Sequence, residues 1–320
     1  MTKPILLVTR KLPADVEARA QAGFEARLNA DDAKVGTDAL VARAQGAAAI
    51  LCCPAEKLDA TTIDALPDSV KVIGTFSVGF DHIDMMAARR RGIPVVNTPD
   101  VLSLATAECA MLLIMAAARR AGEGERMVRA GAWTGWTPTQ MLGRQVSGRS
   151  LGIFGMGRIG RELARMAQGF GMPVHYLNRS RLPAELEHGA TYHADETAFL
   201  AASEVLSLHA PGGDATRHWL NQARLAMLPR GAIVVNTSRG TLIDDSALLD
   251  ALKSGQVRAA GLDVYAREPE VDARYLNRDD VVLLPHLGSA TDETRSAMGH
   301  LALDGIEAVL AGGSPDNLVR

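Results

Sequence analysis

The residues Ser150-Leu151-Gly152-Ile153-Phe154-Gly155-Met156-Gly157-Arg158-Ile159-Gly160, continued by Arg161 to Met166, limit the possible folds more tightly than any other stretch. The short apolar run reads as a buried strand, and Ile159, Leu163 and Met166 then recur on one face of a helix. G-x-G-x-x-G between a strand and a helix is a dinucleotide fingerprint. Gly155 permits the sharp turn, Gly157 lets a pyrophosphate approach the backbone, and Gly160 lets the helix pack closely on the strand. Phosphates are then expected at the positive end of the helix. The same stretch holds Gly148-Arg149-Ser150-Leu151-Gly152, which fits the G-x-S-x-G pattern of serine hydrolases. A nucleophile elbow has its strand before the serine and its helix after. Here the strand follows, so the pattern is a decoy.

A chain of 320 residues is long enough for two domains, each with its own core. Net charge is only -3, so nothing electrostatic calls for nucleic acid or an anionic membrane as partner. The first residues, Met1-Thr2-Lys3-Pro4-Ile5, carry few apolar side chains before Arg10 and Lys11, which is unlike a signal peptide. Three cysteines, two of them adjacent at Cys52 and Cys53, make no disulfide framework. A reduced, cytoplasmic protein is expected. Val101 to Ala118 is apolar enough to suggest a membrane span, but it contains Thr106 and Glu108 and lacks an aromatic belt, so a buried helix is the expectation.

Strands and helices alternate along the chain. Ile5 to Val8, Ala47 to Cys52, Val70 to Phe76 and Ile93 to Val96 read as strands. Ala14 to Ala22, Thr61 to Leu66 and Met85 to Arg91 read as the helices between them. Asn97-Thr98-Pro99-Asp100 breaks the pattern and suits a hinge. The apolar helix from Leu102 leads to a loop, Gly131 to Pro138, that holds Trp133 and Trp136. A second series follows, with six strands near 152–154, 174–177, 205–208, 232–236, 260–262 and 281–284. The expected fold is α/β, with two Rossmann-like doubly wound parallel-sheet domains. A helical tail from Asp292 to Leu310 can pack back on the first domain and make it discontinuous. This gives 1–98 plus 290–320 as the substrate domain and 99–289 as the dinucleotide-binding domain.

An acid about 20 residues beyond the glycines would hold the ribose hydroxyls of NAD. At that place the chain reads Asn178-Arg179-Ser180-Arg181. Two guanidiniums and a hydroxyl suit a 2′-phosphate, which a carboxylate would repel. NADPH is therefore expected over NADH; as solvated surface charges, the two arginines would carry no such meaning. The sequons at Asn178 and Asn236 have no role in a cytoplasmic chain.

Three further segments place polar residues directly after apolar strands: Asn236-Thr237-Ser238-Arg239-Gly240, Gly261 to Pro269, and Leu284-Pro285-His286-Leu287-Gly288-Ser289-Ala290. Taken singly, Arg239 reads equally as a helix-capping cation, Glu268 as a turn residue and His286 as a core histidine. The histidines form no H-x-H or H-E-x-x-H pair and no Cys-x-x-Cys occurs, so metal catalysis lacks support.

Together with the fingerprint, these segments resemble the D-2-hydroxyacid dehydrogenase family across most of the chain, especially its glyoxylate/hydroxypyruvate reductase branch. Ser77-Val78-Gly79-Phe80-Asp81-His82-Ile83-Asp84, Asn97 to Leu102 and Thr106-Ala107-Glu108 also match. The resemblance implies a catalytic trio of Arg239, Glu268 and His286, with Asp263 beside it. It implies that Val78 and Gly79 offer backbone N–H groups to a substrate carboxylate, which Arg239 and His286 also contact. Thr106, Arg158, Ile159, Pro211, Thr237, Asp263 and Gly288 match positions that contact the cofactor, as do the glycines. It also implies a homodimer in which the loop of Trp133 and Trp136 nears the partner's site; as core or interface aromatics the two would have no such role. Arg267, one residue before Glu268, adds a charge to which the resemblance gives no part.

The implied chemistry follows from charge. Hydride attack on a 2-keto acid builds negative charge on the carbonyl oxygen, which Arg239 can stabilise while holding the carboxylate. His286 donates the proton, and Glu268 on its other ring nitrogen favours the imidazolium. The expected protein is an NADPH-preferring reductase of glyoxylate and hydroxypyruvate. The alternatives are an NAD-linked dehydrogenase of another D-2-hydroxy acid and a nucleotide-sensing binding protein without turnover.

Overall fold

The computed structural model describes residues 2–319. By its contacts the chain forms two units: the residues up to Leu102 together with those from Ala290 onward, and Ser103–Ser289.

The first unit contains strands β1 (Ile5–Val8), β2 (Glu25–Arg27), β3 (Ala49–Cys52), β4 (Val72–Thr75) and β5 (Val95–Val96). Helices α1 (Ala14–Gly23), α2 (Thr37–Arg43), α3 (Ala60–Ala65) and α4 (Met85–Arg90) connect them. All pairs are parallel, in the order β2-β1-β3-β4-β5. This is the flavodoxin-like variant of the doubly wound sheet. β3 and β4 are buried at every residue, as a strand covered on both faces must be. One face is filled by Leu7, Ile50, Ile63, Ile73 and Val95. The other receives the long C-terminal helix, which lies close because β4 carries Gly74: a Cβ there would come within 2.7 Å of Ile306 Cδ1.

The second unit opens with α5 (Ser103–Arg119) and α6 (Ala121–Arg129). Then come β6 (Leu151–Phe154), α7 (Arg158–Gly169), β7 (Val174–Leu177), α8 (Ala184–Glu187), β8 (Thr191–Tyr192), α9 (Glu196–Ala201) and β9 (Val205–Leu208). The last elements are α10 (Gln222–Met227), β10 (Ala232–Asn236), α11 (Asp245–Ser254), β11 (Val257–Leu262), α12 (Ala273–Leu276) and β12 (Val281–Leu283). The sheet is parallel throughout, in the order β12-β11-β10-β9-β6-β7-β8. Alternate residues of one strand feed opposite cores: Ile233 and Val235 of β10 pack with Leu113, Leu151 and Leu163, and Val234 packs with Leu206, Leu248 and Leu262. The helix from Ser103 is α5; among the described residues no helix is long and apolar enough to cross a membrane. The last helix, α13 (Asp292–Leu310), belongs to the first unit.

Four elements depart from the sequence expectation, the first being the helix α2, unread between two strands. The second sheet has seven strands rather than six, because Thr191–Tyr192 adds an edge strand too short to show an apolar period. Glu25–Arg27 is likewise a polar edge strand. Helix α6 buries none of its residues and contains Gly122 and Gly124, so helix propensity does not announce it.

Chain order in the second sheet reverses between β6 and β9, the place where doubly wound sheets bind ligands beyond their strand ends. Because every strand runs the same way, the segments after β6, β7, β9, β10, β11 and β12 all emerge at that one edge.

Candidate active site

The glycine turn lies at the switch point. Gly155 has φ +93°, and a Cβ on it would fall 2.5 Å from Ala210 N, in the segment after β9. Only glycine meets both demands. A Cβ on Gly160 would come 2.8 Å from Gly155 O and 3.0 Å from Ile153 Cγ2, so this residue sets how closely α7 approaches β6. Nothing lies within 4 Å of a Cβ at Gly157, which caps α7 without any side-chain hydrogen bond. The backbone there is bare, at the positive end of a helix of 12 residues. Asn178 braces the turn from the end of β7, its Oδ1 accepting Met156 N–H at 2.7 Å. Arg158 is exposed, Ile159 packs partly against the core, and Pro211 is exposed. Thr237 is buried with no hydrogen-bond partner for its Oγ1. A bare helix end and an orphaned buried hydroxyl along one strand edge fit a dinucleotide.

The expectation for the Asn178–Arg181 segment needs a correction at Arg181. Its guanidinium is bound by Glu187 in bidentate fashion, Nε to Oε1 at 2.8 Å and Nη2 to Oε2 at 3.0 Å. Glu187 also accepts Tyr176 O–H at 2.6 Å. Arg181 and Tyr176 together hold the Glu187 carboxyl down at about 2. Glu187 lies six residues beyond Arg181 and folds back to it, so the pair depends on how the intervening loop turns. Arg179 and Ser180 are exposed, and Arg179 has no ion pair among the described residues.

The acid and base groups come from the ends of β10, β11 and β12. Arg239 follows β10 in a turn that Asn236 ties together: its side chain donates to Arg239 O at 2.9 Å and accepts Ser238 N–H at 3.0 Å. Ser238 Oγ donates to Ala210 O, joining this turn to the one after β9. Gly240 allows the turn to press against the next segment, since a Cβ there would overlap the Tyr265 backbone. Tyr265 in turn donates its N–H to Glu268 Oε1 at 2.9 Å and its hydroxyl to Leu284 O at 2.8 Å. Neither contact of Tyr265 was foreseeable from the sequence, although the residue stands between Asp263 and Glu268. Arg267 points outward, 80% exposed, with Glu270 as a loose partner at 3.9 Å.

Glu268 and His286 meet directly, Oε2 to Nδ1 at 2.7 Å. Burial raises the Glu268 carboxyl, but the hydrogen bond and charge of His286, the Tyr265 N–H and the charge of Arg239 outweigh it and leave the group below its usual range. The carboxylate is thus ionised at neutral pH, paired with the imidazole and within the field of the guanidinium. This arrangement commits His286 Nδ1 and leaves Nε2 as the ring atom able to give a proton to a substrate.

Asp263 holds the histidine loop in place. It is fully buried and accepts Leu287 N–H at 2.6 Å and Gly288 N–H at 2.8 Å, while its carbonyl accepts His286 N–H at 2.9 Å. These bonds hold His286 in the left-handed region, φ +56°, which costs a non-glycine residue about 1 kcal/mol. Burial raises the Asp263 carboxyl despite the two N–H donors. Cys109 of α5 touches it, and burial together with the Asp263 charge pushes that thiol up to about 12. Thr106 abuts Gly288, within 3.5 Å of a Cβ placed there.

In the first unit, Val78 and Gly79 follow β4, half-buried, and their N–H groups have no acceptor among the described residues. No group of three or more metal-ligand side chains occurs among the described residues.

Residues 111–288 match the D-isomer specific 2-hydroxyacid dehydrogenase, NAD binding domain. The chain is 41% identical to a glycerate dehydrogenase of Hyphomicrobium methylovorum, over 98% of either chain. It is 39% identical to a glyoxylate reductase of Thermococcus litoralis, over 99% of this chain and 97% of the other. The solved structure of an NADPH-dependent glyoxylate/hydroxypyruvate reductase from Sinorhizobium meliloti, in complex with NADP and malonate, superposes with TM-score 0.88 at 32% identity, covering 99% of this chain and 97% of that one. The chain belongs to the D-2-hydroxyacid dehydrogenase family, in its glyoxylate reductase branch, and is an NAD(P)-dependent 2-hydroxyacid oxidoreductase acting as a 2-keto acid reductase.

Proposed function

We propose that the chain is an NADPH-preferring reductase of glyoxylate, hydroxypyruvate and similarly small 2-keto acids, working as a homodimer. The observation that carries the reading is the Glu268–His286 hydrogen bond of 2.7 Å within the charge field of Arg239, at the strand edge that also bears the glycine turn. Residues 99–289 serve as the dinucleotide-binding domain, and 1–98 with 290–320 as the substrate domain. Gly155, Gly157, Arg158, Ile159 and Gly160 take the pyrophosphate, and Thr106, Pro211, Thr237, Asp263 and Gly288 line the way to the nicotinamide.

Arg239 holds the substrate carboxylate together with the N–H groups of Val78 and Gly79, and polarises the neighbouring carbonyl. Bound NADPH supplies the hydride. His286 delivers a proton from Nε2 to the carbonyl oxygen, and the product is the 2-hydroxy acid. Glu268 holds Nδ1 and so orients the ring, with Nε2 toward the substrate.

The preference for NADPH rests on Arg179 and Ser180 and on the absence of an acid at the end of β7. Glu187 does not present a carboxylate to the ribose, because its side chain is only 8% exposed. Its grip on Arg181 nevertheless favours a second reading, in which NADH serves as well. Dimerisation is supported by the exposed apolar side chains that recur along residues 104–142: Leu104, Leu112, Val128, Trp133, Trp136 and Leu142. Trp133 and Trp136 then close the partner's pocket around short substrates.

Rates of NADPH and NADH oxidation over a panel of 2-keto acids test this reading. Glyoxylate and hydroxypyruvate should be the best substrates, with higher kcat/KM for NADPH. His286→Ala should lose at least about 100-fold in kcat while binding NADPH within about twofold of wild type. No turnover on any keto acid, or full activity in that variant, overturns the assignment.

A further inference from the structure

We infer that Asn97 and Ser77 are positioning residues for substrate binding, fixing the peptides whose N–H groups receive the carboxylate. This rests on the proposed role of Val78 and Gly79 as carboxylate donors. In a trans peptide the C=O and the N–H of one plane point in opposite directions, so fixing the carbonyl fixes the donor. Three successive carbonyls are held here. Ser77 O accepts Thr98 N–H at 2.9 Å, Val78 O accepts Asn97 Nδ2–H at 2.8 Å, and Gly79 O accepts Ser77 Oγ–H at 2.6 Å. The N–H groups on the same three planes, those of Val78, Gly79 and Phe80, have no acceptor among the described residues. Each carbonyl is tied inward, and each donor is left for something outside the chain.

The ties are themselves supported. Ser77 spends its only proton on Gly79 O, so in its 2.8 Å contact with Thr75 it is the acceptor and Thr75 Oγ1 the donor. Thr75 Oγ1 must then accept from His82 Nε2 at 3.0 Å, which places a proton on that ring nitrogen. Thr75 is fully buried and Ser77 nearly so. Asn97 is fixed through its backbone: its N–H donates to Asn317 O at 3.1 Å, and Asn317 Nδ2 donates to Asn97 O at 2.9 Å. A side chain held at both ends in this way does more than cap a strand. It fixes the direction in which the Gly79 N–H points.

The test compares Asn97→Ala, Ser77→Ala and Ser77→Thr with wild type, using steady-state kinetics on glyoxylate, NADPH titration, and calorimetric binding of oxamate to the NADPH complex. Losing one aligned donor should raise KM and weaken oxamate about tenfold, with kcat within about threefold and NADPH affinity unchanged. Ser77→Thr, which keeps the hydroxyl, should restore most of the loss. Unchanged KM in both alanine variants, a parallel loss of NADPH affinity, or a Ser77→Thr variant no better than Ser77→Ala overturns the inference. If Asn97→Ala fails to fold, the two Ser77 variants decide. Should wild type bind oxamate yet reduce no keto acid, the proposed reaction fails while this cradle stands; wild type that binds no oxamate refutes the cradle itself.

Discussion

The turn after β4 leaves backbone N–H groups without an acceptor and the turn after β6 opens on the N-terminal end of α7, and the two are built in opposite ways. At Val78 and Gly79 the peptides are held by hydrogen bonds from side chains and backbone, so the geometry depends on donors such as Asn97 and Ser77. At Gly155 and Gly160 the geometry depends on missing atoms: backbone occupies the space that their side chains would fill. The first kind can be weakened by degrees, one bond at a time. The second fails abruptly, because a Cβ cannot share space with a backbone nitrogen. A carboxylate site built in the first way can be retuned by mutation, whereas a pyrophosphate site built in the second is nearly fixed.

The sharpest way to break this contrast is Gly155→Ala. Its Cβ would lie 2.5 Å from Ala210 N at φ +93°, so the variant should fold poorly or lose at least about 100-fold in NADPH affinity, as read by thermal melting and titration. A well-folded variant with normal affinity would show that the turn tolerates more than packing allows. Gly157→Ala should separate folding from binding within the same turn. Its Cβ meets nothing, so the melting temperature should stay within about 2 °C, while NADPH binding weakens about tenfold because the methyl takes the room of the phosphate. Arg179→Ala is expected to weaken NADPH several-fold more than NADH, and Arg181→Ala to act mainly on stability by releasing Glu187. Equal effects of both arginines on NADPH would restore the simpler picture of a two-arginine clamp.

The smallest effect concerns the wall behind Gly155. His209 precedes Ala210, and burial lowers its imidazole to about 4, against 6.5 in an unfolded chain. Between these values the unfolded chain binds more protons, so stability should fall as pH drops from about 6.5 to about 4. Melting curves of wild type and His209→Gln over that window should diverge, the variant losing less; identical slopes would place the acid sensitivity elsewhere.

Much of this was legible in the residues, for identifiable reasons. Strands such as Ile5–Val8 and Val205–Leu208 are buried on both faces, so their apolar runs are continuous and stand out. The glycine turn was readable because its constraints are local. Edge strands such as Glu25–Arg27 gave no signal, since a strand with one free side and an exposed face has no reason to be apolar. The Arg181–Glu187 pair was invisible because it depends on how a loop folds back. Asn97 was misleading for another reason: before Thr98 and Pro99 it reads as a breaker, and only the tertiary fold gives its amide a carbonyl to hold.

The tie between Asn97 and Asn317 spans 220 residues of sequence. A ribosome therefore completes every residue of the continuous unit, Ser103–Ser289, before it releases the asparagine that closes the discontinuous one. The half with the glycine turn can mature while still tethered to the ribosome. The Val78–Gly79 turn, held through Asn97, is therefore tied down only after the glycine turn has been made.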